Sequence, residues 1–345
     1  MNRLCVTAIV VLTLSGPALA QTPENQASAP ATTTFPEVTL GVMSFLQYSA
    51  ELEESDEFNA FDVTRGYINI QARLSNRVRA RLTPDVRRVT DATLAESLAL
   101  RLEYAYLEVD ATDAMSIAFG MQETPWLTFE ESINRYRAQG FMFSEREELI
   151  PGPSDVGASF RTGGGDNLEI HVGVYNGEGH ERFEKDKYKS VQGRVTVGPF
   201  TADSAASRLR VSGFYSYGKY AADRPRNVAI VMGSYEHPHV VATGQYVFAT
   251  DNPFVADDIE RRGMSFFGEG RQGPTGWAGL GRVDFFDPDT SNDSDSRRRY
   301  ILGGAHWSQF GRGRVGLVVT WEQLFRVVNS DRLEHRLLAQ THVEF

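Results

Sequence analysis

The chain has 345 residues, with 35 lysines and arginines against 45 aspartates and glutamates, a formal net charge of −10 and one cysteine. That acidic balance argues against a nucleic-acid-binding protein, and a lone Cys5 cannot build a disulfide scaffold. No stretch after residue 20 approaches the ~18 apolar residues of a membrane helix, which excludes a helical anchor.

Met1 to Arg3 carry one positive charge, Leu4 to Leu14 are mostly apolar, and Ala18-Leu19-Ala20 fits a small-x-small cleavage site. This predicts a secretory signal peptide over residues 1–20. Cys5 lies at the front of this stretch and not at the cleavage site, so it is not placed for a lipid anchor. Residues 21–37, rich in Thr, Ala, Pro and Gln, read as a disordered periplasmic leader. An exported chain of this length without cysteines needs one large packed or closed structure.

From residue 38 to 345 the apolar period is 2. In TRGYINIQARL (64–74), Gly66, Ile68, Ile70, Ala72 and Leu74 share one parity, and Arg65, Tyr67, Asn69, Gln71 and Arg73 the other. Successive strand side chains point to opposite faces, so each such segment has an apolar and a polar face. Sixteen segments follow in order: 38–50, 61–74, 77–90, 95–109, 114–122, 154–162, 167–176, 188–198, 207–220, 226–236, 239–250, 261–270, 275–286, 298–309, 313–327 and 332–345. Links after even segments are short, whereas those after odd segments are often long and charged, as in 51–60, 176–188 and 287–296. The pattern predicts an all-β fold: a transmembrane antiparallel up-and-down β-barrel of 16 strands over 38–345, in the outer membrane of a Gram-negative bacterium. A soluble sandwich is disfavoured, because no domain linker interrupts the run. Aromatics at apolar-parity positions near segment ends (Tyr104, Tyr106, Tyr215, Tyr217, Trp277, Phe285, Trp321) are expected to form interfacial girdles.

Arginine is costly against lipid, at roughly 2–4 kcal/mol near the midplane. The polar parity must therefore face the lumen, which makes Arg65, Arg73, Arg77, Arg79, Arg81, Arg101, Arg161, Arg194, Arg210 and Arg282 candidate pore-lining residues, with Arg208, Arg314 and Arg336 on the same parity. Acidic candidates are Glu103, Asp155, Glu169, Asp284, Glu322 and Glu334. Two readings of these arginines stay open: a positive lumen that prefers anions, or pairing with neighbouring carboxylates that only braces the wall.

The longest interruption, 123–153, separates segments five and six. Loops of this length in a compact fold are usually functional or disordered, and this one is expected to fold inward and narrow the channel, the alternative being an extracellular lid or a protein-contact loop. Glu130, Glu131, Arg135 and Arg137 are its candidate lumen charges; Trp126, Phe129 and Tyr136 are expected to dock it on the wall. Phe345, ending an alternating last strand, is a candidate insertion signal for the barrel-assembly machinery.

Several stretches, RGYINIQARLSNRVRARL (65–82), FGMQETPW (119–126), SDVGASFR (154–161), VYNGEG (174–179) and Phe345, resemble the phosphate-selective porin O/P family. The resemblance covers most of the chain after residue 20 and implies a sixteen-stranded, trimeric porin with an inward third loop. Strongly selective members of that family line the pore with lysines. Here the lysines are Lys185, Lys187, Lys189 and Lys219, all in or near expected loops, so phosphate specificity does not follow.

No metal site, cofactor or catalytic constellation is expected. His237 and His239 lack a third ligand, the carboxylates of 287–295 lack the calcium-loop pattern, and no nucleophile motif accompanies His171 or His306. The sequence therefore reads as a non-enzymatic porin for passive diffusion of small hydrophilic solutes, embedded in outer-membrane lipid and lipopolysaccharide, with mild anion (phosphate-like) preference. The alternatives are a substrate-specific uptake channel for a carbohydrate or organic acid and, more remotely, an outer-membrane enzyme or structural barrel.

Overall fold

A computed structural model describes residues 34–52, 58–88, 98–162, 167–182, 184, 186–200, 205–221, 224–252, 258–292, 294–328 and 332–345. The expected signal peptide and most of the expected leader lie outside them. Sixteen strands follow in chain order: β1 Glu37–Glu51, β2 Asn59–Arg73, β3 Val78–Arg88, β4 Leu98–Thr112, β5 Met115–Glu123, β6 Ser154–Thr162, β7 Leu168–Tyr175 and β8 Ser190–Val197. The second half comprises β9 Leu209–Ala221, β10 Arg224–His237, β11 Val240–Asp251, β12 Ile259–Arg271, β13 Gly276–Asp287, β14 Arg297–Phe310, β15 Gly313–Arg326 and β16 Arg332–Glu344. Each strand pairs antiparallel with its chain neighbours, and β1 pairs β16, so the sheet closes on itself. Phe345 completes the seam: its N–H donates to the Val42 carbonyl at 3.0 Å, and the Val42 N–H donates to its carbonyl at 2.8 Å. Closure removes the unpaired sheet edges that hydrocarbon does not tolerate.

The period-2 pattern becomes an apolar outer surface. Leu40, Phe119, Val231 and Leu317 are all exposed on the outer face, Phe119 at 70%. The same strands turn polar groups inward, where Gln122, Ser159, Thr196, Asp284 and Glu322 are buried.

One bulge changes which residues face which way. Thr83 pairs with Tyr104 but Pro84 pairs with Leu102, leaving Glu103 as an extra residue in β4. Proline has no N–H to give to a ladder, so a bulge opposite it loses no donor. Before the bulge Leu98, Leu100 and Leu102 point outward; after it Leu107 and Val109 do. Tyr104 and Tyr106 are consequently inward residues, not members of the outer girdle that simple alternation predicts. Tyr104 is buried, with the Arg81 guanidinium 4.0 Å from its ring centre. Tyr215, Tyr217 and Trp277 do face outward.

A second departure from simple alternation lies in β9–β15, whose inward positions are often apolar: Phe214, Val228, Ile230, Met232, Val247, Phe267, Ile301 and Trp307 are all buried. A strand apolar on both faces is covered on both. Lipid faces one side; the chain between β5 and β6 covers the other.

The bulge makes a test. With single cysteines, Tyr106→Cys is expected to react with a charged, water-soluble thiol reagent in the assembled barrel and Leu107→Cys to resist it. The reverse order would show that β4 keeps unbroken alternation.

Candidate pore constriction

The loop leaves β5 through a pinned neck. The Thr124 N–H donates to the Pro153 carbonyl at 2.9 Å, and its hydroxyl donates to the Gly152 carbonyl at 3.2 Å. A short helix, α1 (Leu127–Ile133), follows, and its Leu127, Glu130 and Ile133 are buried. Their spacing of three places them on one helical face, which lies against the wall. Trp126 packs its ring 5.5 Å from that of Phe214. Glu130 accepts hydrogen bonds from the Gln245 amide at 2.6 Å and the Trp126 indole N–H at 3.1 Å. Tyr136 reaches farther round, donating to Glu269 at 2.7 Å between the rings of Phe267 and Trp307. Arg135 also binds Glu269, and its guanidinium sits 4.6 Å from the Trp307 ring centre.

A turn at Arg137–Gln139 and the one-turn helix α2 (Phe143–Arg146) carry the chain across to β15, β16 and β2. The Gln139 carbonyl accepts from the Gln340 amide at 3.1 Å, and the Phe141 carbonyl accepts from Arg282 at 2.9 Å. Arg146 meets Glu322 at 2.6 Å. Glu322 has no exposed side-chain surface and also binds Arg299 and, at 3.2 Å, Arg336. Gly140 sits at φ +150°, and a Cβ there would lie 2.6 Å from the Arg146 guanidinium, so the turn and the arginine can approach this closely only with glycine. Trp126, Leu127, Met142 and Phe143 form one apolar cluster with the inner wall of β9–β15. Each such side chain contributes roughly 1.5–3 kcal/mol when buried.

The loop thus fills one side of the barrel and leaves open spaces beside it. Toward the short turns there is a cavity of about 540 Å³, lined by Tyr67, Arg81, Tyr104, Glu131, Arg135 and Arg314 among others. Toward the long loops there is one of about 600 Å³, lined by Glu148, Glu181, Arg226 and Arg261 among others. Between them lies a cavity of about 220 Å³ that shares Phe45 and Arg137 with the first and Phe141 and Arg146 with the second. Its charged lining consists of Arg65, Arg137, Arg146 and Arg336, with no carboxylate. The matching acids stand behind: Glu145 lies 2.9 Å from Arg137 and 3.9 Å from Arg65, and Glu103 lies 3.8 Å from Arg65.

The structure sorts the sequence candidates. Arg79 pairs with Asp110 at 2.7 Å, Arg81 with Glu123 at 2.7 Å, Arg101 with Asp85 at 3.1 Å, and Arg161 with Glu123 at 3.1 Å. Arg282 pairs with Asp284 at 2.6 Å, and Arg194 binds Glu169 and the Pro125 carbonyl. Much of the ladder therefore braces the wall. Arg73 and Arg210 stand at the short-turn ends of β2 and β9. Arg77 is exposed in the turn before β3, its carbonyl accepting from the Asp110 N–H at 2.8 Å. Glu130 is corrected: it points into the wall, not into the open lumen, because α1 turns its apolar face and this residue together onto β11. Of the named loop charges, Glu131, Arg135 and Arg137 reach the open space, whereas Trp126 and Tyr136 dock the loop. Sequence reading did not find Arg146, Gln139 or Arg299. Parity counted back from YILGGAHW places Arg299 outward with Ile301, Ala305 and Trp307, all of which the structure instead buries inside.

A closed sixteen-stranded antiparallel barrel with a loop folded inside it is the fold of the outer-membrane porins. The barrel superimposes on the anion-selective porin from Comamonas acidovorans with a TM-score of 0.63 and 11% identity, covering 90% of this chain and 99% of that one. It superimposes equally on Salmonella typhi OmpF in complex with daunomycin (TM-score 0.63, 11% identity, 90% and 98% covered). The outer membrane channel DcaP of Acinetobacter baumannii gives a TM-score of 0.60 at 14% identity, covering 90% and 97%. No protein-family profile matches the chain, and no curated protein matches it in sequence.

Burial pushes the Glu130 carboxyl up to about 7, against the hydrogen bonds from Gln245 and Trp126. Its contribution to docking is whole while it is protonated in both the free and the docked loop, below pH ~4.3. That contribution is lost as pH rises through about 7, an effect on the order of 3 kcal/mol. The thermal midpoint of the native protein is therefore expected to fall between pH 5 and pH 8 relative to that of Glu130→Gln. Parallel pH profiles of the two would contradict this.

Proposed function

We propose that the chain is a porin of the Gram-negative outer membrane that lets small hydrophilic solutes diffuse through the narrow space beside its inserted loop, with a mild preference for anions. The observation that carries the preference is the narrow cavity's lining of four arginines and no carboxylate. Guanidinium groups facing a confined aqueous passage lower the free energy of an anion there and raise that of a cation. The preference is mild because many inward arginines pair with an acid, among them Arg79, Arg81, Arg101, Arg161 and Arg282. A homotrimer is supported by one structural neighbour, the in-vitro folded OmpT of Vibrio cholerae in a trimer form, with a TM-score of 0.58 at 10% identity.

A second reading is an uptake channel for an organic acid, favoured by Phe45, Phe141 and Leu338 beside the four arginines in the same cavity. It predicts that a small aromatic carboxylate blocks ion current at low concentration, which simple diffusion does not.

In planar bilayers under a potassium chloride gradient, the reversal potential is expected to show chloride passing faster than potassium, by roughly two- to fivefold. The double change Arg137→Glu and Arg336→Glu is expected to invert that order. Clear potassium preference in the native channel would refute the assignment.

A further inference from the structure

The stretch 176–182 follows β7, belongs to no strand and is separate from the constriction loop, yet it reaches into the lumen. Its Gly177, Glu178, Glu181 and Arg182 line the cavity of about 600 Å³ at the long-loop end. The Glu181 carboxylate meets the Arg101 guanidinium at 2.8 Å. Arg101 stands on β4 and points inward, 3.1 Å from the buried Asp85. In the closed sheet β7 lies three strands from β4, roughly 14 Å along the wall. A contact between the end of one and the inner face of the other therefore spans a chord of the barrel mouth.

The near end of this chord is rooted in the wall. Gly177 donates its N–H to the buried Asp155 carboxylate at 2.7 Å. The His180 side chain, 1% exposed, packs on the return leg of the constriction loop, where a Cβ on Gly152 would lie 3.2 Å from its Nδ1. Gly177 and Gly179 sit at φ +107° and +75°, a left-handed backbone that turns the chain sharply on either side of Glu178. The far end differs in kind. The Glu181 and Arg101 side chains are 35% and 24% exposed, so they join as an ion pair in contact with water. His180 Nε2 lies 4.0 Å from the same carboxylate oxygen. Exposed pairs of this sort contribute little to stability and are screened by salt. The stretch is firmly rooted at one end and lightly latched at the other.

We propose that 176–182 is a strap across the long-loop mouth, latched by Glu181 on Arg101, and that it limits the size of solute reaching the narrow cavity. Small ions pass it unhindered, because the narrower cavity beyond sets their rate. Bulkier solutes are turned away before they can lodge against the four arginines. This use of the strap rests on the channel reading above. The test places a cysteine at Phe141, which borders both the narrow cavity and the 600 Å³ one; Cys5, the chain's one cysteine, lies in the expected signal peptide. Intact cells are treated from outside with N-ethylmaleimide or with a maleimide carried on a short poly(ethylene glycol) chain. Adding Glu181→Gln to Phe141→Cys is expected to speed the bulky reagent about tenfold and to leave N-ethylmaleimide unchanged. Glu181→Arg, which sets two guanidiniums against each other, should speed it at least as much. High salt, which screens the latch, should speed the bulky reagent in the Phe141→Cys protein and change nothing once Glu181→Gln is present. Equal rates for the bulky reagent with and without the Glu181 changes would overturn the proposal. So would equal acceleration of both reagents, which would report an altered thiol and not a wider mouth. Access and conduction are read separately. A protein whose strap gates labelling but which does not conduct refutes the channel reading alone, and a conducting protein with unchanged labelling refutes the strap alone.

Discussion

The interior of this barrel depends on one buried carboxylate. Glu322 receives Arg146 from the loop and Arg299 and Arg336 from the wall, and its side chain has no exposed surface. Taking such a charge out of water is expensive, and three guanidinium partners with good geometry are what offset the cost. Removing one partner of a buried pair typically costs about 3–5 kcal/mol, so the loop tip is tied where it lies. Because α2 is tied there, Gln139 and Phe141 meet β16 and β13, and the passage is held to the space that Arg65 and Arg137 border.

A loop lying inside a water-filled barrel needs a seat, and the sequence provides it by making half the wall apolar on both faces. Phe214, Ile230, Met232 and Ile301 would be anomalous in a lumen, yet each is covered by Trp126, Leu127, Met142 or other members of their cluster. The barrel has a dry side that holds the loop and a wet side where the charged ladder stands. The proposed selectivity follows from that division. On the wet side Arg101, Arg79 and Arg81 pair with Asp85, Asp110 and Glu123, whereas the charged lining of the 220 Å³ cavity is arginine alone.

The fold was legible because a barrel repeats one simple rule: alternation repeated over sixteen segments, with short and long links in turn, specifies closure, strand number and which face meets lipid. The rule failed where geometry broke it locally. Nothing in LALRLEYAY announces the extra residue at Glu103; only Pro84, on the partner strand, hints that the ladder must give way there. The constriction was legible as a loop but not as a site. Helical spacing of Leu127, Glu130 and Ile133 shows a buried face, yet what that face meets is decided by pairs such as Glu130 with Gln245 that are 115 residues apart. The doubly apolar β10 was the readable sign of a covered inner wall. Arg146 offered no signal at all, since its role exists only through Glu322.

The central claim is that the segment between β5 and β6 sets the width of the passage. Single-channel conductance of a protein lacking residues 128–146, with a short glycine-serine link in their place, tests it most directly. Refolding is verified first by heat-modifiable migration. The account predicts a conductance several-fold above that of the native channel, because the arginine-lined narrowing disappears with the loop. An assembled barrel with unchanged conductance would place the narrowing elsewhere and contradict the account.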